Sequence, residues 1–334
     1  KMVAGSCNAG GFGVLAGATI PPDEMERDIV RVKELTDRPF GVNFHMYQPN
    51  AADIVALVIR HGVRAVSYSR SPGPEFIGKL KDAGVICMPT VGLPKHAIKA
   101  VKLGADIVTV QGGEGGGHTG AVPTTLLIPQ VVDAVGDKVP VVAAGGFKDG
   151  RGLLAALAWG ADGIAMGTRF LLTQESPVPR ETLQRYLDCS NPAEIIVSRA
   201  MDGLPQRMVM NELLAELERA GSFRKLLIAL RNGLAFRKHT GARLPDLIKS
   251  ALAMSRDDDL TAAQAIMSAN APMIIQKAMV EGEPSRGVLP SGQVAGVIDK
   301  LVSCEELISA IVEEAEQGLT SLAGRVGTSE AAPD

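Results

Sequence analysis

The chain has 334 residues, 46% of them hydrophobic and 21% charged, so its composition excludes a disordered protein and allows one large domain or two ordinary ones. Its 34 basic and 37 acidic side chains give a net charge of −3, which argues against a general nucleic-acid or membrane-surface binder. The four cysteines are far apart and no apolar run reaches about 18 residues, so we expect no disulfide framework, no metal site, no transmembrane helix and a cytoplasmic protein.

Up to about residue 175, short apolar runs alternate with amphipathic stretches of helical spacing. The apolar runs lack strict alternation, which predicts parallel strands buried on both faces. The predicted strands are 12–16, 40–44, 65–69, 85–89, 106–111, 139–144 and 163–167. The predicted helices between them are 23–35, 53–61, 75–83, 95–103, 125–135 and 150–159.

Seven strands separated by helices favour a TIM (β/α)8 barrel that is one strand short, with a doubly wound open sheet as the alternative. Residues 1–9 have a helical pattern, so we expect the missing first strand to lie before them. We therefore assign 1–175 to the barrel and 176–290 to a mostly helical lid, with helices at 211–219, 223–230, 245–254 and 261–267. Residues 291–334 return to the barrel, and 304–318 form its last helix.

The strongest motif is a glycine-rich loop from Gln111 to Gly120 that follows a predicted strand. Barrel enzymes carry their chemistry at this end of the strands, and glycines let backbone approach a flat ligand closely. His118 follows three glycines and suits proton transfer near neutral pH. An ordinary polar loop with an incidental histidine is the alternative; we favour a catalytic His118, with His45 as the rival.

Two further glycine turns follow the last two predicted strands, at Gly145-Gly146 and at Gly167-Thr168. Barrels commonly bind phosphate at this position through backbone N–H groups. Each turn alone would pass as an ordinary connection between a strand and a helix. Because both occur in the order that a barrel requires, we expect a phosphate site.

The chain resembles the nitronate monooxygenase (2-nitropropane dioxygenase) family over essentially its whole length. The resemblance rests on the loop 111–120, the stretch 143–170 and three shorter motifs at 8–13, 39–43 and 291–296. It implies a TIM barrel that binds FMN beneath a helical lid.

The resemblance also implies roles for individual residues. His118 lies near the flavin as base or hydrogen-bond donor, and Asn43 lies under the flavin ring. The phosphate is held by Gly145, Gly146, Gly167 and Thr168. Further cofactor-binding candidates are Gln111, Gly116, Gly117 and Gln293.

The loop reads Glu-Gly-Gly-Gly-His-Thr, whereas members that oxidise nitronates usually read Glu-Ala-Gly-Gly-His, and Pro290 stands where they often have Trp. In this the chain is more similar to an actinobacterial branch that oxidises or reduces a CoA thioester in steroid-ring breakdown. Its expected chemistry is removal of an acidic C–H proton with electron transfer to FMN. The alternatives are nitronate oxidation with O2, an NAD(P)H-dependent enoyl-thioester or quinone reductase, and a non-catalytic flavin-binding protein. The sequence leaves the oligomeric state open.

A basic segment lies inside the predicted lid. Between residues 219 and 243 there are seven Lys or Arg and no Asp or Glu. A solvated helix face is the ordinary explanation for such a run. Because CoA carries a 3′-phosphate and a pyrophosphate, we instead expect Arg231, Arg237 and Lys238 to bind its nucleotide end.

Overall fold

The computed structural model describes residues 1–17, 20–45, 48, 50–69, 74–220 and 270–326. Seven parallel strands form one sheet in which neighbours follow chain order. They are β1 (Val14–Ala16), β2 (Gly41–His45), β3 (Ala65–Ser69), β4 (Ile86–Val91), β5 (Val108–Gln111), β7 (Val141–Ala144) and β8 (Gly163–Ala165). A doubly wound sheet would reverse its strand order at a switch point, so this order confirms the barrel topology.

Helices connect these strands and cover the outside of the sheet. They are α1 (Met2–Asn8), α2 (Pro22–Leu35), α3 (Ala51–Arg60), α4 (Pro74–Asp82), α5 (Pro94–Lys102), α6 (Thr124–Val135) and α7 (Gly150–Ala158). Prolines occupy the first turn of α2 and α5, where their missing N–H costs nothing, and the Asp149 side chain accepts a hydrogen bond from Gly152 N–H at the start of α7.

The ring of helices closes through the two ends of the chain. The long helix α12 (Cys304–Val326) packs against α7 on one side and against α1 on the other, and α1 also contacts α2. Within the described residues, eight helices thus surround seven strands, with β1 and β8 at the edges of the sheet.

The two faces of the sheet differ in chemistry. Helix-facing side chains such as Val42, Phe44 and Tyr68 are apolar and belong to the buried core. Because side chains alternate along a strand, the intervening positions line the inside of the barrel. Several of them are polar, namely Asn43, His45, Ser67, Ser69, Thr90, Thr109 and Gln111. A polar interior at the carboxyl ends of the strands offers hydrogen bonds to a ligand.

The segment after β8 is not purely helical. It contains α8 (Thr168–Leu171), α9 (Arg180–Leu187) and α10 (Glu212–Arg219), but also strands β9 (Ile195–Ser198) and β10 (Gln206–Val209), which the sequence analysis missed. β10 pairs antiparallel with β9, with the two-residue strand β6 (Gly117–His118) and with β11 (Leu289–Pro290). The inserted segment is therefore joined by backbone hydrogen bonding to the glycine-rich loop.

After the undescribed residues, the chain continues with α11 (Asn270–Met279), β11 and a 3₁₀ turn at Gln293–Val297. The predicted last helix, 304–318, is confirmed and extends further as α12. The expected helices at 223–230, 245–254 and 261–267 lie outside the described residues, as do Arg231, Arg237 and Lys238. None of the described helices has the length and hydropathy needed to cross a bilayer.

Candidate functional site

The glycine-rich loop leaves β5 and packs against the turn that follows β7. Gly112 N–H donates to Ala144 O at 3.0 Å, which continues the pairing of the two strands. A Cβ on Gly145 would lie 3.1 Å from Gly112 O, and Gly145 has a φ of +100° that favours glycine. The loop and the first predicted phosphate turn are therefore in direct contact.

Glu114 lies within the loop but serves its architecture. Its Oε2 accepts hydrogen bonds from Thr124 N–H at 2.9 Å and from Thr124 Oγ1 at 2.6 Å, at the first turn of α6. Thr124 Oγ1 also lies 3.1 Å from Gly145 O. The carboxylate thus ties the loop to a helix N-terminus, where negative charge is favourable.

A second contact joins the loop, the Gly167-Thr168 turn and the segment after β11. A Cβ on Gly116 would collide with the backbone of Gly292. Gly292 N–H donates to Thr168 Oγ1 at 2.9 Å, and Gln293 N–H donates to Glu114 O at 2.9 Å. Three segments named from the sequence therefore meet at one place.

The side chain of His118 lies at the rim of this site. Its Nε2 is 2.8 Å from Oδ2 of Asp202, and Gln111 Nε2 donates to His118 O at 3.0 Å. The His118 side chain is 55% exposed whereas that of Asp202 is 2% exposed, so the ring is accessible while its partner is buried. Gln206 lies opposite His118 in the β6–β10 pair, and its amide donates to the same Asp202 oxygen.

Sequence reasoning missed Asp202 and Gln206. Asp202 lies 84 residues after His118 in a turn, and Asp-Gly is an ordinary turn dipeptide. Only the pairing of β6 with β10 brings them to the histidine, and a two-residue strand has no detectable sequence pattern.

Arg207 is a further residue that the sequence did not reveal. Its Nε and Nη2 donate to Gly113 O at 3.0 and 2.8 Å, and its Nη1 donates to Ile195 O at 3.1 Å. Burial lowers the pKa of the guanidinium, and the charge of Glu114 opposes that shift. The arginine holds the glycine-rich loop against β9.

Asn43 and His45 lie on β2, with two strands between them and β5. Asn43 Nδ2 donates to Ser67 O at 3.2 Å, and His45 Nδ1 is 3.1 Å from Ser69 Oγ. No described hydrogen bond links Asn43 to the glycine-rich loop. These two side chains belong to the opposite part of the barrel mouth.

The predicted phosphate turns present free backbone. Gly146 has a φ of +81°, and within the described chain the N–H groups of Gly145 and Gly146 donate no hydrogen bond to other residues. A Cβ on Gly167 would meet no atom within 4 Å. Gly146 and Gln293 both line a cleft of about 400 Å3 between the β7 turn and the segment after β11.

In the described ranges, no three His, Cys, Asp or Glu side chains are grouped so as to hold a metal ion. All four cysteines lie in those ranges as buried free thiols.

Comparison with known proteins decides the family. The family model described as nitronate monooxygenase matches residues 1–314. The chain belongs to the nitronate monooxygenase family. The predicted family is therefore confirmed, and the chain is an oxidoreductase.

Two curated relatives match nearly the whole chain. A protein of Rhodococcus jostii is named (3aS,4S,5R,7aS)-5-hydroxy-7a-methyl-1-oxo-octahydro-1H-indene-4-carboxyl-CoA dehydrogenase. It is 50% identical over 96% of this chain and 90% of its own length. A Mycobacterium tuberculosis protein of the same name is 48% identical over 94% of this chain and 89% of its own.

Solved structures agree with the family and the fold. FabK from Thermotoga maritima has a TM-score of 0.76 and 28% identity, covering 97% of this chain and 91% of its own. A nitroalkane oxidase from Streptomyces ansochromogenes has a TM-score of 0.72 and 26% identity, covering 96% and 93%. The nitronate monooxygenase family and these neighbours imply a flavin.

Proposed function

We propose that this chain is an FMN-dependent dehydrogenase that acts on a CoA thioester of a fused-ring keto acid. The observation that carries the proposal is the 50% identity, over 96% of this chain, to the Rhodococcus CoA-thioester dehydrogenase. The Glu-Gly-Gly-Gly-His-Thr form of the loop supports the same branch, which we associate with steroid-ring breakdown.

The residues at the barrel mouth suit a flavin mononucleotide. The N–H groups of Gly145 and Gly146, with the turn at Gly167 and Thr168, would hold its single phosphate. Asn43 and the loop residue Gln111 offer amide groups to a polar ring. The remaining contacts would come from Gly116, Gly117 and Gln293. When bound, the flavin supplies an acceptor for two electrons and one hydrogen.

The substrate class gives His118 a defined task. In the thioester named for the relatives, the carbon bearing the carboxyl-CoA group carries a hydrogen that the carbonyl makes acidic. We propose that His118 takes this proton as the C–H bond breaks. Loss of a second hydrogen from the neighbouring ring carbon, together with its electron pair, then leaves a conjugated unsaturated thioester. The preceding glycines give the substrate room to approach the imidazole.

The basic segment 219–243 supports a nucleotide-bearing substrate. Met208 of β10 shares a buried cluster with Leu217 and Ile274, which flank the undescribed residues 221–269. Both flanks of that segment therefore pack near the strand that carries Gln206. We propose that Arg231, Arg237 and Lys238 bind the phosphates of CoA.

A matched pair of triple variants tests this phosphate contact. Replacing Arg231, Arg237 and Lys238 by Ala should weaken CoA-ester binding in calorimetry and reduce its salt dependence. Replacing Lys95, Lys99 and Lys102, which are exposed on α5, removes the same charge elsewhere. Equal losses in both variants would contradict a specific contact.

The reaction itself is tested by anaerobic titration of the flavin-loaded protein. Separate samples receive the fused-ring CoA thioester, an alkyl nitronate, NADH and NADPH, and the flavin absorbance is followed. We expect the CoA thioester to bleach the flavin. Bleaching by the nitronate alone would assign the chain to nitronate oxidation, and bleaching by NAD(P)H alone would assign it to the reductases. Extraction of FAD in place of FMN would contradict the cofactor assignment.

A further inference from the structure

We propose that Asp202 is a positioning residue for His118, which holds the imidazole by Nε2 and leaves Nδ1 as the proton acceptor. The proposal rests on the proton-accepting role of His118 in the proposed function. It gives a role in orienting the imidazole to a buried carboxylate that belongs to the inserted segment and not to the barrel.

The geometry fixes which ring nitrogen carries the hydrogen. An ionised carboxylate can only accept hydrogen bonds, so the 2.8 Å contact between Asp202 Oδ2 and His118 Nε2 requires a hydrogen on Nε2. The amide nitrogen of Gln206 lies 3.2 Å from the same ring nitrogen, but an amide nitrogen only donates, so with a hydrogen on Nε2 it bonds Asp202 Oδ2 and not the ring. In the neutral ring Nδ1 then has the lone pair. Within the described chain Nδ1 has no hydrogen-bond partner, and the ring is more than half exposed at the mouth. Nδ1 is therefore the nitrogen that can meet a substrate.

Asp202 is itself held in place. Its Oδ1 accepts from Leu204 N–H at 3.0 Å, and its Oδ2 also accepts from the amide of Gln206. Gln206 is buried and lies opposite His118 in the antiparallel pair, so the same strand sets both the carboxylate and the ring. The preceding residue, Met201, is fully buried in the apolar cluster beneath.

The same arrangement would favour the product of proton transfer. Once His118 has taken a proton it carries a positive charge beside a buried negative one, where the attraction is stronger than in water. Arg207, the residue after Gln206, does not pair with Asp202 in the described hydrogen bonds, since its guanidinium donates to Gly113 O and Ile195 O. Asp202 thus orients the ring before proton transfer and stabilises the imidazolium after it.

If Asp202 had only a structural role, it would connect β6 to the inserted segment without determining which ring nitrogen of His118 carries the hydrogen. The two roles are separated by ¹⁵N spectra of histidine-labelled protein with its flavin, in which the His118 signals are assigned by their absence from His118→Gln. We expect neutral His118 of the unaltered protein to carry its hydrogen on Nε2. Asp202→Asn should shift the population toward the Nδ1–H form, because an amide can also donate to Nε2.

Kinetics provides the second readout. Asp202→Asn should lower kcat by about 10–100-fold, the usual cost of losing a partner that orients a functional histidine, with flavin content and KM retained. Asp202→Glu should recover part of this loss because it keeps an acceptor. Ser198→Ala is the matched control: Ser198 is equally buried and lies opposite Gln206 on β9, but bonds Glu218 and not His118.

A hydrogen on Nδ1 in the unaltered protein would overturn the proposal, and so would a Ser198→Ala variant that reproduces the loss of kcat. The tautomer is measured without substrate, so it tests the positioning role even if every thioester is inert. Such inertness would count against the proposed function alone.

Discussion

The two histidines at the mouth of the barrel differ in a side chain that contacts the imidazole ring. His118 Nε2 contacts a buried carboxylate from a distant part of the chain, whereas His45 Nδ1 contacts the hydroxyl of Ser69 on the adjacent strand. Both are exposed residues at strand ends, and both belong to the residue type best suited to proton transfer near neutral pH. A carboxylate can fix a tautomer and stabilise an imidazolium, while a hydroxyl can donate or accept and fixes neither. The comparison teaches that position alone does not single out the base that we propose; the buried carboxylate beside the His118 ring is what favours it.

The largest effect is expected from removing each histidine in turn. His118→Ala should lower kcat/KM by about 10²–10⁴-fold, since general acid–base catalysis contributes about that much. Its flavin content should stay normal, because in the proposed function the imidazole acts at the reacting carbon, away from the phosphate. His45→Ala should cost less than about tenfold, a change below the usual range for a catalytic base. Steady-state kinetics and flavin absorbance measure both effects.

The reverse ranking would break the comparison. If His45→Ala lost more activity than His118→Ala, the buried carboxylate would not mark the base, and His45 would take that role.

The loop that carries His118 provides the next prediction. In Gly116→Ala the new methyl group would collide with the backbone of Gly292, and overpacking of this kind costs about 1–3 kcal/mol. We expect a lower free energy of unfolding in urea and a loss of bound flavin. Gly120→Ala is the control in the same loop, because its Cβ would meet nothing within 4 Å. Equal stability of the two variants would contradict the close packing of the glycine-rich loop against the segment that follows β11.

A smaller and more local effect is expected at the predicted phosphate turn. A Cβ on Gly167 meets no protein atom within 4 Å, so Gly167→Ala should fold normally. It should nevertheless bind FMN more weakly if the phosphate lies against this backbone. Gly78→Ala, on α4 and equally open, controls for the substitution itself. FMN affinity is measured by fluorescence titration of the apoprotein. An unchanged affinity would show that the phosphate does not contact Gly167.

The smallest effect is expected from thiol reagents, which should react slowly with the helix-facing side of the strands. Cys87 is buried on β4, and burial, with the nearby charge of Asp106, raises the pKa of its thiol to about 11. Burial also raises the pKa values of Cys7, Cys189 and Cys304. Because the thiolate is the reactive form, the native protein should react slowly with thiol reagents at pH 8. Rapid labelling of Cys87 before unfolding would show that this side opens more easily than the packing implies.

The barrel was predictable because its signals are local. Each strand–helix unit has its sequence pattern within about 30 residues. For Ala65–Ser69, for example, the predicted strand has the observed bounds. Proline and glycine mark several of the helix ends. The order of the strands follows from this repetition.

The site was predictable only in part, because its most informative contact is not local. The sequence identified His118 by its glycine neighbours but not Asp202, which the strand pairing brings to it from 84 residues away. Likewise, β10 was missed because its four residues, Gln206–Val209, show no clean period and are stabilised by partners on either side.

The central claim is that His118 removes the acidic proton next to the thioester carbonyl. It is tested most directly by anaerobic stopped-flow mixing of flavin-loaded protein with the fused-ring CoA thioester, unlabelled or deuterated at that carbon. We predict that deuteration slows the loss of flavin absorbance in the unaltered protein, and that His118→Ala nearly abolishes it. Equal rates for both substrates, together with an undiminished rate in His118→Ala, would contradict the claim.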